Sequence, residues 1–401
     1  MNHDHSTPLR APDDCETGVI VFSGATGTGD RRRDETIRQL RSAGVRNGWH
    51  FVAVTPDAHE AGVDGGQVSS HRAGDTRPLA SRPPDGHRFD ALRDDHVRRE
   101  LESRRIRRLV LCGGHTNHEV ASTARTALDQ GYEVVVVAET TRPGTTRTRD
   151  GTCSPPQDVQ AITLATLERL GATVTSAAAL LSGSNESVVP QHVAALYTDS
   201  VGEADFVHCD PLPSPCLCRR AALVVVNVRE EYPAPEFGDR SHNNAEELIE
   251  RLVAAWRAAD RTVVHTRHPS ALLDRDGSIR QGSAVVPRRG EFVVEAATQN
   301  AFFDTDLGDR LDAAGVTQLV VVGLPAQGAV AATARAALER EYDVVLVEDA
   351  IAGFDTTDAE GNTVAGTEAH WVECTSLAAM GASLTELREV ERLVRRPNPP
   401  R

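Results

Sequence analysis

The sequence predicts an α/β protein of two tandem doubly wound domains, each a parallel sheet covered by helices on both faces. Three observations carry this. The chain has 401 residues, enough for two domains with cores of their own. Short apolar runs without polar alternation are separated by segments of helical spacing, the pattern of strands buried on both faces. A stretch of about 60 residues also recurs at a fixed offset, which points to one duplicated unit.

The repeat is read residue by residue. Leu109-Val110-Leu111-Cys112-Gly113 matches Leu319-Val320-Val321-Val322-Gly323, and Thr123-Ala124-Arg125 matches Thr333-Ala334-Arg335. Gly131-Tyr132-Glu133-Val134-Val135 matches Glu341-Tyr342-Asp343-Val344-Val345, and Gly171-Ala172 matches Gly381-Ala382. The offset is 210 throughout.

In the first copy, strands are expected at residues 19–23, 51–54, 109–112, 134–137 and 173–175, each too short for a helix. Helices are expected at 34–43, 95–104, 120–130 and 158–170. The second copy repeats the order, with strands at 223–227, 263–266, 319–322 and 344–347 and helices at 245–258, 306–314, 330–339 and 368–380. The chain thus divides into a flexible N-terminus (1–17), a first domain (18–181), a Pro-rich linker (182–220), a second domain (221–394) and a tail (395–401). Residues 56–88, rich in Gly, Pro and His, read as an insertion or a lid within the first domain.

A net charge of -15 and a pI near 5.5 argue against nucleic acid or an anionic membrane as the main partner. With no apolar leader or spanning segment, a cytoplasmic protein is expected. The seven cysteines are odd in number and scattered, which fits reduced thiols. Cys209, Cys216 and Cys218 cluster beside His208 with no zinc spacing, so that stretch reads as linker. No lysine occurs; all 43 basic residues are arginine, which excludes a lysine base or Schiff base.

Ligands of open α/β sheets bind beyond the carboxyl ends of the strands. At such positions stand Ala301-Phe302-Phe303-Asp304-Thr305-Asp306-Leu307, the segment from Gly323 to Leu338, and Val344 to Ala350. These resemble the "AFFGTDL", "GxxTxxCVxxTARxAL" and "VVVVEDA" elements of the isochorismatase-like cysteine hydrolases. Thr116-Asn117 and Thr123-Ala124-Arg125 carry the resemblance in the first copy. It implies the three-layer fold of that family, and hydrolysis of small amides by an Asp–Lys–Cys set, or vinyl-ether cleavage using the aspartate alone.

Carried over position by position, the resemblance puts Glu119 and Ala329 in the cysteine place, and Gly86 and Ala296 in the lysine place. The aspartate place falls on Asn227 and on Ser23, or on Phe22 if the first strand slips by one residue. The family's set is therefore expected to be degenerate in both copies. A thiolate, its base and a cation are what that chemistry needs.

Other chemistry remains open. Glu119 at a helix N-terminus is expected to be ionised, with His115, His118 and Ser23 as companions for proton transfer. The bland alternative is that Thr116-x-x-Glu119 is a capping box. Asn117, Asn227, Arg229, Arg267, His268 and Gln327 are the candidate substrate contacts, with Glu230 beside them. Asp57, His59 and His71 match no reliable metal spacing, so neither metal nor cofactor is expected. Cys112 reads as a buried structural thiol, and no base is expected near Cys374.

Two functions stay in play. One is an enzyme acting on a small polar or cyclic metabolite by hydrolysis, elimination or cyclisation without a cysteine nucleophile, in specialised metabolism. The other is an inactive binding or scaffold protein. An intramolecular pseudo-dimer, with homo-oligomers possible, is the expected assembly.

Overall fold

The structure is a computed structural model that describes residues 17–22, 31–54, 68–71, 89–151, 154–183, 215–229, 232, 238–268, 285–357 and 363–395. Two compact units result; the second is built on the C-terminal half and also takes in Thr145–Ser154.

The first sheet holds β1 (Thr17–Phe22), β2 (His50–Val54), β3 (Val68–His71), β4 (Arg108–Gly113), β5 (Glu133–Val137) and β6 (Thr173–Thr175). Its order is β3-β2-β1-β4-β5-β6, parallel except at β3, which pairs antiparallel with β2. That edge strand falls inside the stretch expected to be an insertion or lid. The second sheet holds β7 (Ala221–Val226), β8 (Val263–Arg267), β9 (Phe292–Glu295), β10 (Gln318–Gly323), β11 (Asp343–Ile351) and β14 (Ser383–Thr385). Its order, β9-β8-β7-β10-β11-β14, mirrors the first, and every pairing is parallel. A small antiparallel pair, β12 (Thr356–Thr357) and β13 (Thr363–Val364), lies outside it.

Strand burial explains the apolar runs. Ile20, Phe22, Leu109 and Leu111 join one core layer, while Val19, Val110 and Cys112 join the layer on the opposite face. Alternate residues thus bury both faces of the sheet. In the second unit Leu223, Val225, Val320 and Val322 pack against Trp256 and Ile249 of the helix Ala245–Ala258.

The 210-residue offset extends to single contacts. It relates β4 to β10, the helix Pro156–Arg169 to Gly366–Ala379, and β6 to β14. Thr123 Oγ1 accepts from Ala91 N–H at 2.9 Å, as Thr333 Oγ1 accepts from Ala301 N–H at 3.2 Å. Gly113 and Gly323 close β4 and β10 at φ +77 and +136, where a Cβ would lie 2.3 and 2.0 Å from the carbonyl oxygens of Phe22 and Val226. Only glycine lets the chain turn there.

Sequence spacing missed the short helices Ala177–Ser182 and Leu387–Val394, and the strands β3, β9 and β14. Among the described residues, no helix is long and apolar enough to cross a membrane.

Candidate functional site

In each sheet the strand order reverses between the first strand and its central neighbour, β1 against β4 and β7 against β10. This is the switch point beyond whose carboxyl ends ligands of such sheets bind. A glycine turn leads there into one wide helical turn, Thr116–Val120, in the first unit, and in the second into Ala326–Val330, which is kinked at Gly328 (φ -110, ψ -112). Such a turn widens the backbone by one residue and is frequent at functional sites. Both turns are tied down alike: Thr116 N–H donates to Arg142 O at 2.7 Å, and Ala326 N–H to Ala352 O at 2.8 Å. Asn117 Oδ1 accepts from Gly144 N–H at 2.7 Å, and Gln327 Oε1 from Phe354 N–H at 3.4 Å. Gln327 Nε2 donates back to Phe354 O at 2.6 Å. Asn117 and Gln327 therefore pin the turn to the following loop.

The first turn carries ionisable groups. Glu119 is buried; its Oε2 accepts from His115 N–H at 2.9 Å, and both carboxylate oxygens lie 3.3 Å from His115 Nδ1. Burial by itself would raise the Glu119 pKa. The bond to His115, the charges of His115 and His118 and a backbone contact outweigh it and bring the pKa down to about 2. Glu119 is thus a carboxylate at neutral pH. The expected Thr116-x-x-Glu119 capping box does not form: Glu119 takes the amide of His115 rather than that of Thr116, whose own N–H goes to Arg142 O and whose hydroxyl turns to Arg142 O and Gln160.

On the far side of the imidazole, Arg142 Nη2 lies 3.4 Å from His115 Nε2. His115 and Arg142 are half-buried, whereas Glu119 and His118 are buried. His118 packs edge-on against Phe89 with ring centroids 5.8 Å apart. Donor atoms of His115, His118 and Glu119 all lie within 4.8 Å of one another, so these three could hold a metal ion. Arg142 carried no signal in the sequence, because only the fold brings it to the turn from 27 residues away.

The second site is made differently. Asn227 directly follows β7 in the left-handed region (φ 52), which asparagine tolerates better than most residues. Its Nδ2 donates to the Tyr232 hydroxyl at 2.6 Å, while its Oδ1 accepts from Arg229 Nε and His268 N–H, both at 3.2 Å. Arg229 also donates to His268 O. His268 Nδ1 bonds to Thr298 O at 2.8 Å and its Nε2 to Thr266 Oγ1 at 2.8 Å. Burial, reinforced by Arg229, brings the His268 pKa down to about 4 although the Thr298 bond opposes this, so it stays neutral. Arg267 pairs with Glu295 across the strand edge at 2.7 Å. Ala296 and Ala329 are buried.

Ser23, Asp57, His59, Gly86 and Glu230 lie outside the described residues, as does most of the linker. His71 ends the edge strand β3, opposite Phe51 in register. Cys112 is buried, and its thiol is pushed up to about 12 by desolvation. Against expectation, His370 lies 4.0 Å from Cys374 Sγ, one helical turn before it. Burial drives that thiol up and that imidazole down to about 3, so neither is poised for nucleophilic work.

The isochorismatase domain profile matches residues 81–179 and 221–379, well over half of the chain. A streptothricin hydrolase of Streptomyces noursei is 38% identical over 141 residues, 33% of this chain and 50% of that protein. The chain thus spans about half the length of that relative. An isochorismatase family protein of Bacillus subtilis, YrdC, is 28% identical over 147 residues, covering 35% and 77% of the two chains. Among solved structures, an isochorismatase from Pseudomonas putida is 27% identical with a TM-score of 0.40, covering 44% of this chain and 93% of its own.

Proposed function

The chain belongs to the isochorismatase family, and from that premise we propose that its first unit is a cysteine-independent hydrolase of small polar or cyclic metabolites. The observation that carries this reading is Glu119. A buried carboxylate, held against an imidazole, stands on the turn where the family resemblance places a cysteine nucleophile. A carboxylate oriented by backbone N–H and paired with histidine can take a proton from water that attacks a carbonyl. Arg142, half-buried beside His115, supplies positive charge for the oxygen that becomes negative. The relative named streptothricin hydrolase supports hydrolysis over elimination or cyclisation.

The same reading holds that the chain is a tandem duplication that works in the cytoplasm, in specialised metabolism. Both copies have lost the Asp–Lys–Cys set, with Asn227, Ala296 and Ala329 in its places in the second. Asn117, Asn227, Arg229, Arg267, His268 and Gln327, expected from the sequence to contact substrate, act in this reading mainly as the frame. Their side chains spend hydrogen bonds on one another or on neighbouring groups.

The test is turnover of streptothricin, nicotinamide and succinimide by the purified chain and by Glu119→Gln. Removing a group that moves a proton costs about 100- to 10,000-fold in rate. The expected result is a loss of that size with circular dichroism unchanged; wild-type rates in the variant would remove Glu119 from the chemistry. A second reading, a non-catalytic binding protein, is favoured by the closed hydrogen-bond network of the second site. Binding of these compounds with no turnover by the wild-type chain would establish it.

A further inference from the structure

We propose that His115, His118 and Glu119 form a binding site for one divalent first-row transition-metal ion, zinc by donor type. The inference takes Glu119 as a ligand, and an ion bound there would replace its role as the free base of the hydrolytic reading; the two are told apart because binding is measured without substrate.

The distances support an ion. A charge-assisted N–H···O bond between imidazole and carboxylate is normally about 2.7–2.9 Å long and aimed at one oxygen. Here His115 Nδ1 lies 3.3 Å from both oxygens of Glu119. Two ligands of one tetrahedral zinc, each bonded at about 2.0–2.1 Å, stand about 3.3 Å apart. The spacing therefore suits two atoms sharing an ion. The third donor, on His118, falls within 4.8 Å of the other two.

The ligands are also braced from outside. Glu119 Oε2 is oriented by the His115 amide at 2.9 Å, and the His118 ring is held by Phe89. Gly144 leaves room for that ring: a Cβ there would lie 2.7 Å from His118 Cε1 and Nδ1. Orientation of this kind accompanies working metal ligands. Two imidazoles and one carboxylate leave a coordination position open, as catalytic zinc sites do.

The second unit serves as an internal control. There the same turn carries Pro325, Gly328 and Ala329 at the equivalent places, none of them a ligand. That turn keeps the shared anchoring bond, Ala326 N–H to Ala352 O, without the three donors, and kinks at Gly328 where the first unit carries His118.

One feature opposes the ion. With metal on Nδ1, the His115 proton moves to Nε2, which faces Arg142 Nη2 at 3.4 Å. Arg142 must turn aside, so removing its charge should tighten binding.

The experiment uses the full chain stripped with chelator and titrated calorimetrically with zinc, then with cobalt(II) followed by visible absorption. The expected result is one ion per chain with wild-type folding. Affinity should weaken at least about 10-fold in Glu119→Gln and in His118→Ala, and strengthen in Arg142→Gln. Glu119→Gln is nearly isosteric, so it reports even if His118→Ala misfolds. Equal stoichiometry and affinity in wild type and Glu119→Gln would place the ion elsewhere and overturn the site, as would no binding at millimolar zinc. Zinc binding with no turnover leaves the site and removes the hydrolytic reading; turnover in metal-free protein with no zinc affinity does the reverse.

Discussion

At one turn, in two units with the same strand order, the molecule places different chemistry. The first unit has His115, His118, Glu119 and, from the loop beyond, Arg142. The second has Pro325, Gly328, Ala329 and Ala352 at the corresponding places. The backbone contacts that hold the turns are shared, down to the amide bonds of residues 116 and 326. The difference teaches that the wide turn is scaffolding and that the ionisable groups are additions to it. Buried ionisable groups cost free energy unless they are paired. Their presence in one unit only is therefore hard to assign to folding.

The second unit spends its buried charge elsewhere. Arg335 and Glu373 form an ion pair at 3.0 Å with side chains only 4% and 5% exposed. The residue corresponding to Glu373 in the first unit is Thr163. Arg335→Met would leave a carboxylate buried, at a cost of about 3–5 kcal/mol. That is the largest effect predicted for the comparison of the two units, and it falls on the second. Urea unfolding followed by Trp256 fluorescence reads it; a change under about 1 kcal/mol would mean that the pair is hydrated and weak.

Acid should separate the units next. His268 and His370 are held neutral by burial, at about 4 and about 3, against an ordinary value of 6.5. Arg229 faces the first and His242 the second, and each lowers its neighbour further. In the unfolded chain both bind protons once the pH falls below about 6.5, so the unfolded state gains protons that the folded state refuses. Their contribution is present above that pH and is lost progressively toward the folded values. The melting temperature of the second unit should fall by several degrees between pH 7 and pH 4.5, and His370→Phe should blunt the fall. An unchanged slope in that variant would show that this histidine is not the group responsible.

The smallest effect expected is at Gln327. Its amide makes two bonds to the Phe354 backbone, at 2.6 and 3.4 Å. Gln327→Ala should cost about 1–3 kcal/mol and leave turnover untouched, because the residue sits on a turn that carries no ionisable group. A specific loss of rate at full stability would move the chemistry to the second unit.

Much of the fold was legible. Strands buried on both faces leave unbroken apolar runs, and the fixed offset located β4, β5, β10, β11 and the helices between them to within a few residues. What escaped was short or at an edge. β9 reads Phe292-Val293-Val294-Glu295, too brief to stand out, and β3 lies in a stretch of turn-forming residues where composition argues against a strand. The helix Leu387–Val394 has clear amphipathic spacing but sits where the chain was expected to end its domain.

The site was legible only along the chain. Glu119, His115 and His118 share one turn, so their proximity follows from numbering. Arg142 does not, and neither does the mutual satisfaction of Asn227, Arg229 and His268, which joins the ends of β7 and β8. Side chains that look free to bind in a sequence can be consumed by neighbours that only the sheet register supplies. The pairing of Arg267 with Glu295 across β8 and β9 is of the same kind.

The central claim is that catalysis starts from Glu119 and needs no thiol. It is tested most directly by comparing rates on the same compound for Glu119→Gln and for a chain without cysteine. Cys112 would be changed to valine, the residue its counterpart Val322 already is, and the other six to alanine. The account predicts that the cysteine-free chain keeps its rate while Glu119→Gln loses about 100-fold or more. A cysteine-free chain that folds but has lost its turnover, beside an active Glu119→Gln, would contradict it.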